Sequence, residues 1–364
     1  MLLSVILFTF IAAMLSTIMV PGIIKLCKIY SLYDSINARK IHSGNIPRLG
    51  GVAISFSFII ITVLFFFLDK NLSFFNAFPL LAAGMLIFIF GILDDVVELR
   101  AIFKLLVQLV ACGIVVAGGF RFRQIFGLII PDTLSSLITF CWILGLINAY
   151  NLIDGLDGLC GILSATTLFT MGIIIHGSYK EGAAICMILV GSIIGFLVWN
   201  WPAPNAKIFM GDNGSQFLGF MIATVPLYVS GEEFEFNKFL MMLVLVSFPM
   251  LDTIAAIWRR IRDHRSIMSP DRCHLHHKLL NLGFDKHQAL YMVLGIQDVI
   301  CLMVWLSTLF DKEITFIILI IAYIFKKLNG QNLLYNSPFH RFGNNVRSFF
   351  HLFRTYINII HPNN

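Results

Sequence analysis

Charge is what this sequence has least of. Asp, Glu, Lys and Arg make up 13% of its 364 residues against 58% hydrophobic ones, and the mean hydropathy is +0.85. A soluble domain carries roughly 25% charged residues, so a soluble globular fold is excluded. Internal repeats and low-complexity tracts are also missing, which speaks against an inverted-repeat transporter. The seven cysteines (27, 112, 141, 160, 186, 273 and 301) fall inside apolar runs or on one side of the charge map drawn below, so no disulfide framework is expected.

What the chain has in quantity is long apolar runs. A bilayer core about 30 Å thick needs roughly 20 apolar residues per helix. Eleven runs approach that length, near 3-26, 51-68, 73-93, 101-118, 133-150, 158-176, 182-201, 214-229, 238-258, 288-309 and 313-327. The first exceeds a signal-peptide core and precedes no polar domain, so it reads as a retained span. The expectation is an all-α polytopic integral membrane protein. Residues 1-327 would form a single transmembrane catalytic domain with cytoplasmic loops 27-50, 94-100, 151-157, 202-213 and 259-287, followed by a cytoplasmic tail, 328-364. The tail's mix of Phe, His and Arg suits either an amphipathic surface helix or a frayed end.

The formal charge of +6 matters through its placement. Only Lys70, Arg121, Arg123, Lys180, Lys238 and Lys312 fall after even-numbered runs; the other 20 of the 26 basic residues lie after odd-numbered ones. Basic loops stay in the cytoplasm, which puts the N-terminus outside and the C-terminus inside.

Four polar clusters follow odd-numbered runs and so share that face: Asp94-Asp95-Val-Val-Glu98, Asn151-x-x-Asp154-x-x-Asp157, Phe209-Met-Gly-Asp212-Asn-Gly-Ser215 and SPDRCHLHHK at 269-278. An ionised Asp at the bilayer centre costs roughly 2.5–3.5 kcal/mol, so these carboxylates belong at helix ends in a wet cleft. Adjacent Asp94 and Asp95 cannot both ionise comfortably without a cation or strong donors nearby. Hard oxygen ligands suit Mg²⁺ or Mn²⁺, and Mg²⁺ takes one or two protein ligands and completes its shell with water and substrate phosphate. If helical, Asn151, Asp154 and Asp157 share a face; Gly155 and Gly158 make a bent backbone equally open. A helix starting at Gly214 would aim its positive end at bound phosphate, with Lys104, Arg259, Arg260, Arg265 and Arg272 adding counter-charge. His274, His276 and His277 lack a zinc-site spacing, and diphosphate or sugar contacts fit them better.

GILDDVVELR, NAYNLIDGLDGLCG, KIFMGDNGSQFLG and SPDRCHLHHKLLNLGF, in that order on alternating loops, resemble the polyprenyl-phosphate N-acetylhexosamine-1-phosphate transferases. RKIHSGNIPRLGG at 39-51 is similar to that family's first cytoplasmic loop. Leu275, lying within the histidine run, favours the N-acetylglucosamine branch that starts enterobacterial common antigen and O-antigen chains over the peptidoglycan branch. The resemblance implies transfer of GlcNAc-1-phosphate from UDP-GlcNAc to undecaprenyl phosphate, with release of UMP, in the bacterial inner membrane. It implies Asp212 and Asn151 as metal ligands and Asp94 and Asp95 as the catalytic pair. Phe209 would stack on uracil, Asp157 would stand near its imide edge, and Lys104 would meet the phosphates. Asp154, Arg260, Asp271, Arg272, His274, His276 and His277 complete the implied substrate site, with Asp34 and Glu98 at further family positions. Mg²⁺, or Mn²⁺ in its place, is the implied cofactor. Membrane lipid is an implied partner, a homodimer is left open and nucleic acid is not expected. Asp298, in the middle of the tenth run, has no counterpart in the resemblance.

In-line attack of the lipid phosphate on the sugar-bearing β-phosphorus is the expected chemistry, needing positioning and charge neutralisation above all. A two-step route through an aspartyl-phosphate is the alternative. A transporter would instead carry its acidic residues at mid-span, where this sequence has Asp298.

Overall fold

A computed structural model describes residues 2–33, 46–69, 74–125, 127–177, 179–201, 205–228, 232–266, 274–310, 315 and 317–321. The tail 328-364, Asp34, Asp271, Arg272 and most of the eleventh apolar run lie outside the described residues. The helices are α1 Leu2–Ile29, α2 Gly51–Leu68, α3 Phe74–Val97, α4 Ala101–Ala117, α5 Asp132–Ile153 and α6 Leu159–His176. They continue as α7 Lys180–Asn200, α8 Asp212–Thr224, α9 Glu232–Leu245, α10 Ser247–Arg262, α11 Leu275–Asn281 and α12 Lys286–Ser307. The all-α expectation holds save for one small antiparallel hairpin between α4 and α5, pairing Gln124 with Ile129 and Ile125 with Leu128.

Among the described residues seven helices are long and apolar enough to cross a membrane, or eight if α9 and α10 count as one bent span. Three of the expected runs lie outside those seven helices. The run at 101-118 is a 17-residue helix, α4. The run at 214-229 is the 13-residue α8, continued without a gap by a 3-10 turn, Val225–Tyr228. Every residue of α8 from Asn213 to Thr224 is buried. It is the central post of the bundle, packed on by α2, α3, α5 and α6, with protein rather than lipid around Asn213, Ser215 and Gln216. Gly51 and Gly91 admit it: a Cβ at Gly91 would collide with the Asn213 backbone, and one at Gly51 with Gly214.

The run at 238-258, expected as one span, is bent by 72° between α9 and α10. The cause is Pro249 in the first turn of α10. Proline has no N–H to give the carbonyl four residues back and its ring crowds that carbonyl, so Leu245 O loses its helical donor. Gln297 of α12 replaces it, donating from Nε2 to Leu245 O at 3.0 Å and to Thr167 Oγ1 at 3.1 Å. The bend swings α10 against α5. Asp298, next to Gln297, is exposed on the outer face of α12.

Gln297→Leu would leave the buried Leu245 carbonyl without a donor, which costs about 1–3 kcal/mol. Thermal unfolding of the purified protein in detergent should register this as a lowered midpoint.

Candidate active site

Each polar cluster sits where a helix stops or starts at one end of the bundle. α3 ends at Val97 because Glu98 takes a left-handed backbone, φ 54°, a conformation uncommon for a non-glycine residue. That turn brings the Leu99 N–H to Asp94 Oδ1 at 3.0 Å. α5 ends at Ile153, so Asn151 lies in its last turn while Asp154 and Asp157 lie on the tight turn into α6. The bent backbone, not the continuous helix, is the one adopted. Asn200, closing α7, staples this turn to the next segment by accepting from Gly158 N at 2.9 Å and donating to Ile208 O at 2.8 Å. The segment 209-210 then runs beside 47-51, with Phe209 N donating to Pro47 O at 2.8 Å and Gly51 N to Met210 O at 2.7 Å.

Gly211 adopts φ 78°, and a Cβ there would strike the Arg48 carbonyl. Its backbone turns the chain into α8, whose first amides are claimed at once: Asp95 Oδ1 accepts from Asp212 N at 2.9 Å and Oδ2 from Asn213 N at 3.0 Å. Asn213 Nδ2 donates to the same Oδ2 at 2.5 Å. Asp95 therefore caps α8 from another helix. The open N-terminus at Gly214 expected as a phosphate cradle is not available: the helix starts two residues earlier and Gly214 N donates to Gly211 O at 3.2 Å. Arg48 holds Asp95 in turn, donating from Nη2 to its carbonyl, with Nη1 3.6 Å from Glu98.

Lys104, one turn into α4, bridges two carboxylates, its Nζ lying 2.5 Å from Asp94 Oδ2 and 2.9 Å from Asp212 Oδ2. Asn151 Nδ2 donates to Asp212 Oδ1 at 3.1 Å and to Ser215 Oγ at 3.0 Å. Burial would raise the Asp212 carboxyl, yet hydrogen bonding with Asp94, the Lys104 ammonium and the Asn151 amide together hold it down at about 2. Behind Asp94 a line of amides runs out to exposed Asn148: Gln216 Nε2 lies 3.5 Å from Asp94 Oδ2, Gln108 donates to Gln216 at 3.2 Å, and Asn148 donates to Gln108 at 3.0 Å.

Asp94, Asp95, Lys104, Asn151 and Asp212 line a cavity of about 520 Å³, large enough for a nucleotide-sized ligand. Nine expected site residues share its wall: Asp94, Asp95, Lys104, Asn151, Asp154, Asp157, Phe209, Asp212 and His277. Arg260, His274 and His276 do not line it; all three are buried. His276 is kept neutral, down at about 3, by burial and by His277 beside it. Asp271 and Arg272 lie outside the described residues. Sequence reasoning missed Asn200 and Asp252 and used Arg48 and Lys286 only as loop charge. Arg48 could have been found in the RKIHSGNIPRLGG stretch, but a lone Asn or Asp inside an apolar run carries no spacing signal.

The family described as Glycosyl transferase family 4 matches residues 77–230. The chain is 30% identical over 350 residues to a probable undecaprenyl-phosphate N-acetylglucosaminyl 1-phosphate transferase of Bacillus subtilis, covering 92% of this chain and 94% of that one. It is 32% identical to the decaprenyl-phosphate N-acetylglucosaminephosphotransferase of Mycolicibacterium smegmatis, over 70% of each chain. The undecaprenyl-phosphate alpha-N-acetylglucosaminyl 1-phosphate transferase of Escherichia coli is 30% identical, over 74% of each. The fold and site thus define a multi-pass membrane enzyme that transfers a glycosyl phosphate. The chain belongs to the polyprenyl-phosphate N-acetylglucosaminyl-1-phosphate transferase family.

Lys104→Met removes the ammonium that helps hold Asp212 down. A depressed carboxylate adds stability that is present above its unfolded value, near pH 4, and is lost as pH falls through its folded value. The stability gap between the native protein and this variant should therefore narrow between about pH 4 and pH 2, where Asp212 titrates. Unfolding midpoints of both proteins across that range check the sign.

Proposed function

We propose that this site transfers GlcNAc-1-phosphate from UDP-GlcNAc to undecaprenyl phosphate, giving undecaprenyl-diphosphate-GlcNAc and UMP. The reaction would open O-antigen or common-antigen type glycan synthesis at the cytoplasmic face of the inner membrane. The observation that carries this reading is the Asp94–Lys104–Asp212 bridge on the wall of a cavity that four sequence-distant clusters share. A nucleotide-sugar comes from water and its acceptor from lipid, so their chemistry belongs where apolar helices end in charged turns. The gathering of 20 of the 26 basic residues after odd-numbered runs supports the cytoplasmic assignment.

Asp94 is the group suited to act on the acceptor. Its carboxylate is oriented by the Leu99 N–H and by Lys104, so it can take the proton of the lipid phosphate and hold the attacking oxygen in place. Asp95 is spent on the α8 amides, and its part is to fix Asp212 and the turn before it. The attacking oxygen forms a bond to the β-phosphorus as the bond from that phosphorus to the UMP oxygen breaks. Lys104 then meets the charge that grows on the leaving phosphate. Phe209 and Asp157 on the same wall offer a flat face and an acceptor edge for uracil.

The donor set fits a hard divalent cation. The Asp212 carboxylate is 35% exposed towards the cavity with the Asn151 side chain beside it, and Mg²⁺ needs only one or two such protein ligands. Among the described residues no three His, Cys, Asp or Glu side chains form a self-sufficient cage, which accords with a metal that shares its shell with water and phosphate. Mg²⁺ or Mn²⁺ held by Asp212 and Asn151 would supply charge neutralisation across the diphosphate.

Purified protein should release UMP from UDP-GlcNAc only when polyprenyl phosphate is present, and should lose that activity in excess EDTA. Asp94→Asn should lower kcat by roughly 10²–10⁴-fold, the range for a missing general base. A labelled sugar-phosphate trapped on the protein without lipid acceptor would replace direct attack with the two-step route. A panel of UDP-N-acetylhexosamines reads the donor.

A further inference from the structure

Three histidines, His274 before α11 and His276 and His277 in its first turn, stand together, yet only His277 reaches the cavity wall. The other two are buried, and their partners come from opposite directions. Asp252, in the second turn of α10, grips the start of the arm with both oxygens. Its Oδ2 accepts from His274 Nδ1 at 2.8 Å, and its Oδ1 accepts from Leu275 N at 3.1 Å. The pair is secluded, with side chains 7% and 5% exposed, so water does not compete for either oxygen. His276 stacks on His274 at 5.9 Å between ring centroids and 4° between planes, and lies 4.3 Å from the His277 ring.

The far side of the arm meets the turn that carries Asp154 and Asp157. The His276 ring fills the space beside Gly155, where a Cβ would overlap Nε2 and crowd Cε1 at 2.8 Å. Gly155 has no positive φ, so the glycine serves the ring's position and not the backbone's shape. α10 itself packs on α5, whose end leads into that same turn. The contacts close a ring: α5 to α10, Asp252 to His274, His276 to Gly155, and back to α5.

We propose that Asp252 is a positioning residue that seats the histidine arm against the Asp154–Asp157 turn and so fixes the cavity wall for the nucleotide-sugar. The inference rests on the transfer function proposed above for its kinetic consequence. It does not rest on it for the anchor. Asp252 touches no reacting atom; it acts through His274 and His276 on the wall that His277 and the turn present. Loss of the grip should weaken capture of the donor more than it slows chemistry at Asp94.

The test uses the full-length protein in detergent, with Asp252→Ala, Asp252→Asn, Gly155→Ala and the double variants. Gly155→Ala should lower the unfolding midpoint clearly when the arm is gripped. It should cost less than half as much beside Asp252→Ala, because a released His276 can swing away from the new methyl. Asp252→Ala should raise KM for UDP-GlcNAc at least tenfold with kcat changed less than threefold. Asp252→Asn, which keeps an oxygen for the Leu275 N–H, should lie between. If Asp252→Ala does not fold, Asp252→Asn carries the same cycle. Additive midpoint changes, or a native KM in a folded Asp252 variant, overturn the proposal. The midpoint cycle needs no turnover: a protein that releases no UMP defeats the transfer reading while the anchor is still decided by coupling.

Discussion

The architecture depends on keeping a short polar-tipped helix out of lipid. α8 carries Asn213, Ser215 and Gln216 along its buried surface. In hydrocarbon each unmet polar group would cost several kcal/mol, so the helix persists only inside a sleeve of other helices. Its N-terminal amides need acceptors too, and Asp95, from a different helix, supplies them. Asp95 thereby holds together the end of α3 and the start of α8 through its carboxylate and, through the Arg48 hydrogen bond to its backbone carbonyl, the segment that precedes α2.

From that constraint the rest of the cleft follows. With α8 fixed at one end of the bundle, Asp212 stands at the cavity wall with Asn151 and Lys104 as immediate partners. Lys104 draws Asp94 into the same cluster, and an ammonium between two carboxylates offsets the repulsion that such crowding would otherwise bring. The adjacent aspartates are thus divided by their surroundings. Asp95 accepts from the amides that open α8, whereas Asp94 is paired with the Lys104 ammonium.

The bend between α9 and α10 is the second organising device. Pro249 breaks the ladder, Gln297 restores the orphaned carbonyl's hydrogen bond, and the redirected α10 brings Asp252 to the histidine arm. Two buried polar residues, Gln297 and Asp252, each answer a need created elsewhere in the chain. Such groups are tolerated at membrane depth because they face protein, and the same burial makes their pairing geometrically strict.

By itself the sequence determined the all-α membrane class, the clusters at Asp94, Asn151, Asp212 and His277, and the family. Apolar run length and residue type write those locally, and a charged cluster in so apolar a chain has few places to go. Only tertiary structure decided that α8 is buried along its length, because length in residues does not say whether a helix meets lipid or protein. Tertiary packing also decided that the amides opening α8 go to Asp95, and that Asn200, Gln297 and Asp252 matter. A single amide or carboxylate in an apolar run acquires a role only from the distant carbonyl, amide or imidazole that folding sets within 3 Å or so of it.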